Sequence, residues 1–499
     1  MSFGPPHSLY TESTRAAEGR RTRLRTRLLG AAAAVLLVVG GVGGWLIAAD
    51  DDPPPAAEPA PVAQSPDEVR ETVEKVPASP EGRLMVMQRE AGLEKFKDGD
   101  QRYAPGTWAT GKVFAKGMAD KVMGFEIGAD SDDPAWTLEL GGHICATTKH
   151  VTADGRTAVV VQPKKPEGDV TEGVCDKVVF FDIDTGKKLW QATMPSARSA
   201  FVTNTNLTLT SGVVAVAWGQ GSIAYDMKNG RQLWNGNTAS SCEDEGFAGG
   251  RALLALLGCG EGTDATYQVQ KLDPRTGKAE WTYKVARGIQ AVYLPSSDPP
   301  VLAVAAGDLT VTDLITLDAA GKHRATIAMA DSYDPKCGER YFSSPYFGVV
   351  EYCDGMAVGQ DRLFVATKDE SDIDQPANWI VAFDAATGRT DGKFEGRPYQ
   401  PVHPIRTNGD ELLIFRGSLS EYEPAAVVSW NPSTDKETPY LLFNLPQDDL
   451  GKLGDLEWSD IVVEKGRVFF SRRQLSADSE DPKAAVLASV GLGSFGLRH

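Results

Sequence analysis

Six cysteines, six histidines and two acidic clusters are the residues of this 499-residue chain that could do chemistry. The cysteines are Cys145, Cys175, Cys242, Cys259, Cys337 and Cys353, with gaps of 30, 17 and 16 residues within neighbouring couples. An even count in an exported domain points to disulfides, and sequential pairing is the simplest of the possible patterns. Free buried thiols are the alternative. None of the cysteines are adjacent, and there is no Cys-x-x-Cys-His haem signature. The acids cluster in "DSDD" (Asp130 to Asp133) and "DESDID" (Asp369 to Asp374). Neither has the spacing and turn glycine of an EF-hand, so both read as solvated loops. His7 and His499 are terminal, and His143, His150, His323 and His403 lie far apart in the chain. "GLGSFG" near the end lacks the strand-turn-helix setting of a nucleophile elbow. From these residues we expect no catalytic group, no metal site and no cofactor site.

The elements that would carry such residues are short and β-rich. "TAVVVQP", "KVVFFDI", "GVVAVAW", "RLFVATK" and "RVFFSRR" are rich in Val and Phe and bounded by turn residues. A phrase recurs between them: "FDIDTGKKLW" (Phe181 to Trp190), "YDMKNGRQLW" (Tyr225 to Trp234) and "LDPRTGKAEW" (Leu272 to Trp281). The acid, as Asp182, Asp226, Asp273 or Asp384, can bond backbone amides two residues on. The glycine, as Gly186, Gly230, Gly277 or Gly388, can take positive φ. Such a phrase suits a turn between antiparallel strands. Degenerate copies at Phe125 to Trp136, Leu317 to Arg324, Ala382 to Phe394 and Ser429 to Tyr440, and a final unit without the phrase, bring the total to eight. Units at periods mostly of about 43 to 54 residues, with four short strands each, predict an eight-bladed β-propeller over 106–499. Trp136, Trp190, Trp234 and Trp281 then wedge neighbouring blades.

The Asp-x-x-Thr-Gly-x-x-x-Trp phrase resembles the repeat of PQQ-like propellers, the family of the quinoprotein alcohol dehydrogenases. The resemblance implies the fold. For function it leaves several classes open, since that family includes quinoprotein dehydrogenases, assembly scaffolds of outer-membrane proteins and sensor ectodomains. The dehydrogenases imply PQQ over the channel, usually Ca²⁺, an Asp base and often a vicinal disulfide. This chain has no adjacent cysteine pair and is compact by comparison. A non-catalytic binding scaffold or sensor is therefore the expected function, with a PQQ-dependent oxidoreductase as the alternative.

The ends and the charge complete the expectation. Residues 1–27 carry six Arg against two acids, while the remainder carries 66 acids against 45 Lys and Arg. Such a surface repels nucleic acid. Leu28 to Ala49 is an uncharged run long enough to span a bilayer, with arginines before it and Asp50 to Asp52 after it. We read it as a single-pass anchor in a bacterial cell membrane, the N-terminus cytoplasmic and the propeller outside. A cleaved signal peptide is the rival. Residues 50–105 are expected to be a Pro/Ala-rich linker followed by short helices at about 66–76 and 83–97, the first with Ser65 as N-cap and Pro66 behind it. For a protein or cell-envelope partner on one propeller face, Arg340, Tyr341 and Phe342 are the candidate contact.

Overall fold

The computed structural model describes residues 64–71, 74–95, 102–164, 173–236, 242–260, 266–307, 309–329, 332–338, 350–368, 377–419, 423–445, 453–478 and 480–494. The proposed membrane anchor, the arm before it and the contact Arg340, Tyr341 and Phe342 lie outside the described residues. No described helix is long and apolar enough to cross a membrane.

Eight four-stranded antiparallel sheets follow one another along the chain, as the repeat predicts. Blade I holds Thr107–Ala109, Val113–Met118, Lys121–Glu126 and Trp136–Glu139, and blade II runs from Gly142–Thr147 to Lys188–Thr193. Blades III, IV and V begin at Asn206–Thr210, Cys242–Ala248 and Ile289–Ser297, blades VI and VII at Met356–Val358 and Val402–Asn408. Within blades I to VII strand order equals chain order, and the first strands of neighbouring blades approach each other around the centre. Fourth strands lie outermost and alternate between exposed and half-buried residues, as in Lys188–Thr193. The apolar cores lie between blades: Val160 and Phe180 of blade II pack with Leu207 and Val216 of blade III, all at most 1% exposed. One blade has two faces, and only its neighbours can cover them.

Antiparallel strands alternate direction, so the ring has two unlike faces. Hairpins joining first to second and third to fourth strands lie on one face, the hairpin face. Connections from second to third strand, and from blade to blade, lie on the other, the loop face.

Blade VIII corrects our reading of residues 83–97. Its strands, from the outside inward, are Arg83–Glu90, Val486–Gly493, Arg467–Arg472 and Ser459–Glu464. The N-terminal strand is paired antiparallel with the C-terminal one, Arg83 opposite Gly493 and Glu90 opposite Val486. The propeller therefore begins before residue 106, and its ring is closed by two strands far apart in the chain. "RLMVMQRE" is composed of good helix formers, but from Met85 it alternates: Val86 and Gln88 are buried, while Met85 and Met87 are half-buried and Arg89 is exposed. An unpaired edge at Val486–Gly493 offers more than local propensity can. Among the described residues of this stretch, Leu93–Lys95 makes a short 3₁₀ turn.

The helix expected at about 66–76 is also absent among its described residues. Ser65 and Glu68 do exchange capping bonds, Glu68 N–H to the Ser65 carbonyl at 3.0 Å and Ser65 N–H to the Glu68 carboxylate at 2.9 Å. One turn later the chain becomes extended, and Val69 bridges Thr152. Its backbone is bonded to hairpins of the ring instead of to itself.

The repeated phrase is a turn with its cap on the preceding blade. The Asp182 carboxylate accepts from the Thr185 amide at 2.8 Å, as Asp273 does from Thr276. Asp384 does the same for Thr387 at 2.7 Å, and Asp226 for Lys228 at 2.9 Å. Gly186, Gly230, Gly277 and Gly388 all have φ between 66° and 69°. The tryptophan lies on the turn of the next blade: Trp136 on Gly186, Trp190 on Gly230, Trp234 on Gly277 and Trp281 on Gly321. The Trp190 indole N–H donates to the Met227 carbonyl at 2.7 Å, and Trp234 to that of Pro274 at 2.8 Å. Blade V has Ala325 where the tryptophan would stand, and Gly388 of blade VI meets it and Ile327 instead.

The cysteines form Cys145–Cys175, Cys242–Cys259 and Cys337–Cys353, the sequential pairs, and none is free. Cys242 and Cys259 face each other across the first and second strands of blade IV. Each pair ties down a segment of the loop face. Replacing both Cys242 and Cys259 by serine is expected to remove about 3 kcal/mol through the loop it opens, read as a lower denaturant midpoint. An unchanged midpoint would mean that hairpin pairing alone holds the loop.

Candidate functional site

The centre of the ring is crossed by the chain itself. After blade V the connection returns through Cys353 and sends Val350–Asp354 into the channel. The Val350 carbonyl accepts from Leu294 N–H of blade V at 2.8 Å. Glu351 points toward blades II, III and IV and is 2% exposed. Its carboxylate meets His150 Nε2 at 3.0 Å, Thr208 Oγ1 at 3.2 Å and the Gly249 N–H at 3.1 Å. Lys149 Nζ donates to the Glu351 carbonyl at 2.7 Å and stands 5.5 Å from the Tyr352 ring centroid. Farther along, Asp354 accepts from Arg473 of blade VIII at 3.3 Å. That guanidinium also holds Asp460 and the carbonyls of Leu456, Glu457 and Ser459. The segment is thus a crossbar, gripped at one end by blades II to V and at the other by blade VIII, with Cys353 fastened to Cys337.

The hairpin face carries a strap. Asp67 and Glu68 carbonyls accept from Gly212 and Ala153, at 2.9 and 2.8 Å, in the hairpins of blades III and II. Arg70 donates to the Ala109 carbonyl at 2.6 Å and pairs with Glu464 at 3.2 Å, reaching blades I and VIII. Glu71 pairs with Arg251 of blade IV. Glu74 is buried: its carboxylate accepts from Tyr440 Oη at 2.7 Å, Arg406 at 2.8 Å, and the amides of Lys465 and Gly466 at 2.7 and 2.9 Å.

Two cavities share the channel, and Lys149, His150 and Arg406 line both. One of about 440 Å³ adjoins the crossbar, lined by Glu351, Tyr352, Asp354 and His403. The other, of about 470 Å³, adjoins the strap, with Arg70, Glu71 and Arg362 in its wall.

Burial works to raise the Glu351 carboxyl, yet His150, Lys149 and the Gly249 N–H outweigh it and hold the group below the ordinary carboxylate range. A depressed folded-state pKa contributes stability above the ordinary range, lost as pH falls through the folded value. Glu351→Gln should therefore lower the melting temperature at neutral pH and lessen its decline between about pH 5 and pH 2. Parallel declines in both proteins would mean that other carboxyls govern the acid limb. His403, stacked on Phe415, is pushed down to about 4 by burial, with Lys336 adding to the effect. It stays neutral at neutral pH.

Of the residues singled out from sequence, His150 acquires a partner 201 positions away, a contact without any local signature. His143 and His323 are exposed. The tryptophans and turn residues are placed at blade-to-blade contacts. Glu74, Glu351, Arg406 and Arg473 carried no sequence signal. The one clue to the crossbar was the Cys353 tether two residues from Glu351. Among the described residues, no three metal-ligating side chains converge. The rings lining the cavity beside the crossbar are His150, Tyr352 and His403. Glu351, the acid reaching blades II to IV, is already bonded by the ring itself. Asp354 and Asp460, which also line that cavity, are paired with Arg473.

A family model described as outer membrane protein assembly factor BamB matches residues 69–252 and, in an overlapping register, 176–332. Together the matches span more than half of the 499-residue chain. The chain belongs to this family. Overlapping registers are what a repeat produces, since each blade resembles the next. No curated protein matches the chain in sequence. Among solved structures, BamB from Moraxella catarrhalis is 13% identical, with 78% of this chain and 96% of that chain covered at a TM-score of 0.44. A europium-containing methanol dehydrogenase is 13% identical over 83% of this chain and 93% of its own, TM-score 0.43. The quinohemoprotein alcohol dehydrogenase of Comamonas testosteroni is 12% identical over 84% of this chain and 78% of its own, TM-score 0.43. The family's propellers thus stand beside both a BamB protein and dehydrogenases, and such distant likeness says nothing of activity.

Proposed function

We propose that this protein is a non-catalytic binding scaffold or sensor, held at the outer face of a bacterial cell membrane by Leu28 to Ala49, that recognises a protein or cell-envelope partner on its loop face. The observation that carries the reading is the crossing of the channel by the protein's own chain, which engages the acids there. A redox cofactor in a propeller needs free acids over the axis. Here the crossbar runs through that space, and the strap crosses the opposite mouth. The loop face, by contrast, carries the longer connections and all three disulfides, and loops on a rigid ring are natural recognition elements. The BamB description of the matching family model agrees with a protein partner. Arg340, Tyr341 and Phe342 belong to the same connection as the crossbar and remain the proposed contact.

Two measurements test this. Titration of the purified protein with PQQ, with and without Ca²⁺, is expected to show no saturable binding; micromolar binding accompanied by dye reduction would establish the oxidoreductase alternative. Capture of crosslinked partners from membranes is expected to weaken when Tyr341 and Phe342 are both changed to serine in a protein that still melts normally. Undiminished capture would place the interface elsewhere.

A further inference from the structure

We infer that the channel contains a carboxylate-recognition site which the protein itself occupies through Glu351, and that its external ligand is an acidic segment of a partner protein. The inference rests on the scaffold reading above. Its basis is where the donors come from. His150 follows the first strand of blade II, Thr208 lies within the first strand of blade III, and Gly249 follows that of blade IV. Three blades, each fixed by the ring, aim a ring nitrogen, a hydroxyl and an amide at one carboxylate, and Lys149 adds a bond to the adjoining carbonyl. The Gly249 backbone is itself held: Ser297 Oγ donates to its carbonyl at 2.6 Å, and a Cβ on Gly249 would lie 2.2 Å from the Leu209 carbonyl oxygen. The donors belong to the rigid part of the molecule, whereas the acid belongs to a blade-to-blade connection.

The acid arrives in a form that a partner could copy. Val350 and Glu351 make a turn beside blade V, where the Val350 carbonyl accepts from Leu294, and the crossbar is fastened through Cys353, Asp354 and Glu351. A segment with an acid beside an apolar residue would find the same backbone partner and the same donors. The cavity beside the crossbar, about 440 Å³, gives such a segment a way in along blades VI, VII and VIII, past Met356, Pro404 and Ile461. Burying a carboxylate is favourable only where charged and neutral donors replace its water. The site therefore selects an acid over its amide.

The test uses the full chain with Cys337→Ser, Cys353→Ser and Glu351→Ala, which unties the crossbar and removes the resident acid. The probe is a fluorescein-labelled peptide of sequence Val-Glu-Tyr-Ser-Asp, copying 350–354 with serine for Cys353. It is expected to bind this variant at least about tenfold tighter than the unaltered protein, and to lose about tenfold when its glutamate is replaced by glutamine. Adding His150→Ala should abolish the distinction between the two peptides. Absence of saturable binding to a variant that melts cooperatively, or equal binding of both peptides, would overturn the inference while leaving the partner-capture test of the scaffold reading untouched. Should the triple variant fail to fold, hydrogen exchange in the disulfide-bonded Glu351→Gln protein decides. The amides of Asp354 and Gly355, bonded to the Lys336 and Pro335 carbonyls, should exchange about tenfold faster. Unchanged exchange there would show that Glu351 does not hold the crossbar in place.

Discussion

Replacing Glu74 by alanine is expected to lower the stability of the ring by about 3–5 kcal/mol, the scale of breaking a buried, hydrogen-bonded ion pair from one side. The carboxylate is 1% exposed in its salt bridge with Arg406. It accepts from Tyr440 of blade VII and from the Lys465 and Gly466 amides in the first hairpin of blade VIII. Its own amide donates to Asn408 of blade VII at 2.5 Å. Removing the side chain leaves a guanidinium, a phenol and two amides without their acceptor in a place that water reaches poorly. The damage would concentrate where the ring is closed, because blade VIII owes its outermost strand to residues that follow Glu74. Denaturant unfolding measures the loss. Glu74→Gln, which keeps the shape and part of the bonding, should lose distinctly less. Equal losses for the two variants would mean that packing of the strap, and not the charge, matters.

Replacing Trp190 by alanine is expected to cost about 3 kcal/mol, at the lower end for large core aromatics because the ring is only half-buried. Its ring stacks on Phe180 at 5.2 Å and meets Tyr225 at 5.9 Å, and its N–H reaches the Met227 carbonyl. Gly230→Ala tests the same contact from the other side. The φ of 69° disfavours a side chain, and the new Cβ would lie 2.8 Å from the indole. Thermal melts of both single variants and of the double variant form a cycle. Strongly sub-additive losses are expected, since both changes break one blade-to-blade contact. Additive losses would show that tryptophan and glycine act independently.

The sequence by itself determined the repeat, and through it the propeller. The acid, the glycine and the tryptophan of each phrase interact within a turn or with the adjoining blade, so their spacing is a local quantity that survives in one dimension. The three disulfides were legible for a similar reason: each joins neighbouring cysteines of the chain. Composition misled over Arg83–Glu90, whose residues suit a helix. What made it a strand was an unpaired edge contributed by Val486–Gly493 at the far end of the chain. The channel was decided by tertiary structure alone. Glu351 meets His150 across 201 residues, and Glu74 meets Gly466 across 392. Contacts at such separations leave no periodicity, because a closed ring brings together residues that the chain order keeps apart, and each is fixed only when every blade between them has folded.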